Sequence, residues 1–122
     1  MRFIITEEQK DKVHSLIYNF INDTYNDPDF DWGYAVDDIN DGGNSDEMGE
    51  TFFNFVDDKY FTFLDCNYVK NHFYDIDTPC PYIALGDPRE SYFNNFFGSH
   101  WKEPFLRWFE DMSGIKALSV GD

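Results

Sequence analysis

The 122-residue chain predicts an α+β fold, an antiparallel β-meander of three to five strands with an N-terminal amphipathic helix and a C-terminal aromatic helix pair, the helices on one side of the sheet. Three observations carry this. Phe93, Phe96, Phe97, Trp101, Phe105, Trp108, Phe109 and Met112 keep close to one helical phase, a wide apolar stripe. Runs rich in Phe, Tyr and Thr, separated by turn residues, fill the middle of the chain. Val13, Leu16, Ile17, Phe20 and Ile21 recur at helical spacing near the start.

Each element has its own signal. Arg2 to Ile5 reads as a lead-in or an edge strand. Thr6 with Gln9 three residues later forms a capping box, and the first helix is expected over Glu7 to Asn22. The segment 22–50 is acidic and irregular, but Phe30, Trp32, Tyr34, Val36 and Ile39 pin it; Asp31 caps a short helix from Trp32 to Asn40 that stops at Asp41-Gly42-Gly43. Gly42 to Asp46 is the expected flexible tip.

Strands follow over Glu50 to Val56 and Tyr60 to Asp65, joined through Asp57-Asp58-Lys59, with a third over Tyr68 to Asp75 after a turn at Cys66-Asn67. Phe53 and Phe55 point one way and Phe52 and Val56 the other, so both faces are expected to bury something. Tyr82 to Leu85 reads as a fourth strand and Ile115 to Val120 as a last one. Between them, Asp87 as N-cap and Pro88 in the first turn start a helix that ends at Gly98, and a second runs from near Glu103 to Gly114. A single kinked helix from Pro88 to Met112 is the alternative.

One domain without internal repeats accounts for this length. No apolar run approaches the ~20 residues that span a bilayer, and acids follow the first apolar residues too soon for a signal peptide, so a cytoplasmic location is expected. On that basis Cys66 and Cys80 are expected as free thiols without a role.

Charge is the most informative property. The net charge is −15, and residues 23–87, with sixteen acids against Lys59 and Lys70, hold −14 of it. Aromatics at 20% set the chain apart from disordered acidic tails. A surface short of Lys and Arg cannot bind phosphates, so direct nucleic-acid binding is disfavoured. The converse holds for a partner: a folded array of carboxylates presents the field that a basic, nucleic-acid-binding groove attracts. The residues expected to carry such binding are Asp27, Asp29, Asp31, Asp37, Asp38, Asp41, Asp46 and Glu47. The plain alternative is a surface that serves solubility.

Chemical motifs are sparse. Asp27, Asp29 and Asp31 have the alternating spacing that opens a calcium loop, with Asp38 at the twelfth place, but Trp32 stands where the loop requires glycine and Ala35 at the ninth place. Asp75-Ile-Asp77 is an isolated acid pair among seventeen aspartates. His14, His72 and His100 share no motif, and no glycine-rich phosphate loop occurs, so neither an enzyme nor a cofactor is expected.

The opening Ile4-Ile5-Thr6-Glu7-Glu8-Gln9 before an amphipathic helix, and the ending Trp101 to Phe109 before Gly114, resemble small uncharacterised proteins from phages of aquatic bacteria. The resemblance covers the first and last thirds and implies a phage-type accessory protein. Anti-CRISPR and anti-restriction proteins are similar in character, being small, acidic and often mimics of nucleic acid. The expected function is therefore a non-enzymatic acidic binding protein that blocks a basic surface of a host defence or nucleic-acid-handling protein. Alternatives are a virion or replisome component docking through aromatics and a calcium-binding module.

Overall fold

The structure is a computed structural model that describes residues 7–43, 48–73, 77–86 and 89–121. Helix α1 spans Glu7–Thr24, two residues beyond the expected end. The extra turn carries Tyr25 into the core, where its ring stacks on Trp108 at 5.2 Å. Thr6, the expected cap, lies outside the described residues. Helix α2 spans Trp32–Asn40 as expected, because the Asp31 carboxylate accepts the Tyr34 backbone N–H at 3.0 Å.

Strands β1 (Glu50–Phe55) and β2 (Lys59–Leu64) form the expected hairpin, with Phe53 opposite Phe61. Asp57 and Asp58 in its turn have φ of 62° and 58°, the left-handed region that Asp tolerates better than most residues. The strand expected over Tyr68 to Asp75 is instead helix α3, Cys66–His72, residues 74–76 lying outside the described set. Local capping overrides β propensity here. The Asp65 carboxylate accepts the Tyr68 N–H at 2.9 Å, and Lys70 and His72 meet the negative end of the helix dipole.

Strand β3 (Tyr82–Ala84) pairs antiparallel with β2, and β4 (Ser119–Gly121) pairs parallel with β3. The four-stranded sheet, in the order β1-β2-β3-β4, is therefore mixed, which corrects the expected antiparallel meander. The reason is the chain between β3 and β4. It is spent on helices α4 (Arg89–Phe97) and α5 (Lys102–Ser113), joined by a 3-10 turn at Gly98–Trp101, and a connection of that length lets a strand return in the same direction, which a short hairpin does not.

Two helices, not one kinked one, divide the aromatic stripe. Gly98 breaks it at φ 59°, and Pro104 sits in the first turn of α5, where a missing N–H is harmless. Gly114, at φ 74°, closes α5 in a left-handed conformation suited to glycine. The expected start at Asp87-Pro88 lies outside the described residues.

α1, α2 and α5 share one core with the inner face of the sheet: Phe53, Phe61, Phe93, Trp101, Phe105 and Phe109 are fully buried. Phe61 lies 4.9 Å from Phe53 across the strands and meets Phe105 of α5 edge-on at 5.5 Å. Both buried indoles find acceptors, Trp108 Nε1 donating to Asn22 Oδ1 at 3.1 Å and Trp101 Nε1 to Asn94 Oδ1 at 2.7 Å.

The outer face of the sheet is only half covered, against the expectation that both faces bury their aromatics. Leu64 is buried there, as is Val69 of α3, and the Phe73 ring meets Tyr82 at 5.3 Å. Phe52 and Val56 remain exposed, Phe52 against Tyr60 at 5.4 Å. Cys66 and Cys80 are joined in a disulfide that ties the start of α3 to the segment before β3, a correction to the expected free thiols. No described helix is long and apolar enough to cross a membrane.

Candidate interaction surface on the acidic helix

The acidic segment is held to the core by its aromatics and by its own carboxylates. Phe30 stacks on Phe55 at 4.3 Å, and Trp32 meets Trp108 edge-on at 5.6 Å. Ala35 is buried and Ile39 packs against the core, so the inner side of α2 is apolar. At its end, Gly43 (φ 84°) bridges Met48, and a side chain there would collide with the backbone of Glu50, 2.6 Å away. α2 is thus fastened to β1 at both ends.

The outer side of α2 carries Tyr34, Asp37, Asp38 and Asp41, spaced i, i+3, i+4 and i+7 on one stripe. Tyr34 is 74% exposed, and Asp37 and Asp41 are exposed while Asp38 is half-buried. An amphipathic phenol stands at the N-terminal end of a row of three carboxylates. Residues 23–58 contain twelve acids and no Lys or Arg, so no cation from the same segment neutralises them.

Not every expected site residue is free to face a partner. Asp27 accepts the Asp29 N–H through Oδ1 and the Val56 N–H through Oδ2, each at 3.0 Å, and Asp31 caps α2. Both hold the backbone. Asp29, Asp37 and Asp41 face solvent. Asp46 and Glu47 lie outside the described residues. The Asp27–Val56 bond also brings the turn with exposed Asp57 and Asp58 beside Asp29, joining two acidic stretches thirty residues apart in a way that sequence order conceals. Tyr34 was legible in principle from its helical spacing to Asp37, Asp38 and Asp41; Asp57 and Asp58 needed the fold.

The calcium-loop spacing does not fold as a loop. Helix α2 begins at Trp32, both Asp27 oxygens and one of Asp31 are turned to backbone N–H groups, and no group of three or more His, Cys, Asp or Glu is placed to hold a metal among the described residues. The histidines stay apart: His14 lines a groove between α1 and α5, His72 contacts the Tyr68 carbonyl at 3.0 Å, and His100 is exposed. That groove, about 410 Å³, also contains Tyr18, Glu103, Arg107 and Asp111. Tyr18 donates to Asp111 at 2.8 Å, and burial followed by this bond raises its phenol above the usual value.

No protein-family model, curated protein or solved structure matches the chain.

Proposed function

We propose that this is a non-enzymatic, phage-type binding protein whose α2 surface occupies a basic groove of a host protein that handles nucleic acid, in the manner of a DNA mimic. The cytoplasm of the host is the setting this reading requires. One observation carries it: Tyr34 stands exposed on a helix anchored by its opposite side, with Asp37, Asp38 and Asp41 following it along the same stripe and no cation in residues 23–58. Carboxylates held on a rigid helix supply a directed negative field, which speeds encounter with Lys- and Arg-rich surfaces and rejects nucleic acid. A large phenol beside them offers the desolvated anchor that concentrates binding energy.

The test is a pull-down from host extract over a salt series, with duplex DNA as competitor. A specific partner should be released by DNA and by raised salt, and should be lost with the combined Asp37→Asn, Asp38→Asn and Asp41→Asn variant and with Tyr34→Ala, while both variants keep the parent's thermal midpoint. Capture that ignores salt, DNA and these four side chains would overturn the reading.

A further inference from the structure

One face of α1 carries an apolar stripe with a charge at each end. At 100° per residue, Lys12, Leu16, Phe20 and Asp23 fall within about 80° of one another and form a single stripe. Leu16 is 69% exposed. Phe20, half-buried and packed against the core on its inner side, continues the apolar surface onto α4, its ring 6.1 Å from Tyr92 and 6.2 Å from Phe96, which is 63% exposed. Tyr92 and Phe96 lie 4.8 Å apart, and the Arg89 guanidinium sits 5.2 Å from the Tyr92 ring centre. Contiguous apolar surface rimmed by charge marks an interface far more often than scattered exposed residues do.

We propose that this face pairs with a second copy of the chain across a twofold axis, the two α1 helices running antiparallel. The order of residues along the stripe is the argument. With the axis at the level of Tyr18, Leu16 of each copy meets Phe20 of the other, and Lys12 falls opposite Thr24, one residue (about 1.5 Å of helix rise) from Asp23 and within reach of its carboxylate, twice. A stripe that reads cation, apolar, apolar, anion is complementary to itself when reversed, which is what an isologous contact demands. Phe96 and Tyr92 widen the apolar centre beyond a single helix. Electrostatics permit the association: the rim carries Lys12 and Arg89 against Asp23, whereas residues 23–87 hold nearly the whole negative excess. The contact uses α1 and α4, so the Tyr34 stripe stays available, two to a dimer.

Sedimentation velocity at 150 mM salt, from micromolar to several hundred micromolar, decides this. The expected result is a monomer–dimer equilibrium, the heavier species having twice the 14.5 kDa of the chain. The Leu16→Ser and Phe96→Ser variants, both at exposed sites, should weaken the dimer at least tenfold with an unchanged far-UV dichroism spectrum. Lys12→Asp should weaken it too, and adding Asp23→Lys to the same chain should restore it, a recovery that misfolding cannot mimic. A chain that stays monomeric throughout, or a dimer indifferent to all of these changes, would overturn the proposal.

Discussion

The carboxylate of Asp27 accepts the backbone N–H of Val56, 29 residues away, at 3.0 Å while its other oxygen accepts the N–H of Asp29. One side chain therefore closes the loop before α2 and holds the hairpin turn of β1 and β2 against it. Asn supplies a single acceptor oxygen where Asp supplies two. Asp27→Asn should cost about 1 kcal/mol and Asp27→Ala about 2 in urea unfolding, whereas Asp37→Asn and Asp41→Asn, at exposed positions, should stay within about 0.5. Equal costs at all three sites would deny Asp27 its structural part.

The disulfide is a second handle. Cys66 and Cys80 are fourteen apart in sequence, and closing a loop of about fifteen residues stabilises a chain by roughly 3 kcal/mol through the unfolded state. A thermal midpoint lowered by several degrees on adding reductant, with no such change in a Cys66→Ser/Cys80→Ser variant, is the expected outcome. In a reducing cytoplasm the protein would work without this constraint.

Asn22 of α1 accepts from the indole of Trp108 in α5. Asn22→Ala leaves an N–H of a buried ring unpaired and should destabilise by about 1–3 kcal/mol. Tryptophan fluorescence, followed through denaturant unfolding, reads the loss of stability. An unchanged midpoint would show that water substitutes for Asn22.

Tyr25 gives a pH dependence with a definite sign. Its hydroxyl is buried without a hydrogen-bond partner among the described residues, and burial pushes its pKa up, an effect the positive charge of Arg89 only partly offsets. Below pH about 10 the phenol is protonated in both states and contributes nothing to the slope. Above it, the unfolded chain releases the proton that the folded chain keeps, so stability falls by up to about 1.4 kcal/mol per pH unit until the raised folded value is reached. Tyr25→Phe should remove that share of the alkaline slope and, at neutral pH, raise stability by about 1 kcal/mol, since an unpaired buried hydroxyl is lost. Urea unfolding of parent and variant at pH 7 and pH 11 measures both effects.

How much was legible depended on the range of the interaction. The cap of Asp31 on α2, the stop at Gly114 and the Phe-rich hairpin were readable because each is decided within a few residues. Helix α3 misled because Tyr68, Val69 and Phe73 suit a strand, while the single bond from Asp65 to the Tyr68 N–H tips the balance towards helix. The two helices between the last two strands leave room for a parallel return, but nothing local to residues 115–120 fixes the direction of β4. Of the acidic residues proposed for binding, sequence identified the segment and could not separate Asp27 and Asp31, which hold the backbone, from Asp29, Asp37 and Asp41, which face water.

The amino-acid order alone determined the helices and strands other than α3, the aromatic character of the core and the location of the negative charge along the chain, since composition, spacing and capping act locally. The tertiary structure decided the direction of the last strand, the pairing of the two cysteines, the gathering of Asp57 and Asp58 beside Asp29, and which aromatics stay outside. Those outcomes depend on which distant surfaces meet when the core closes, and a residue's burial is a property of its neighbours in space.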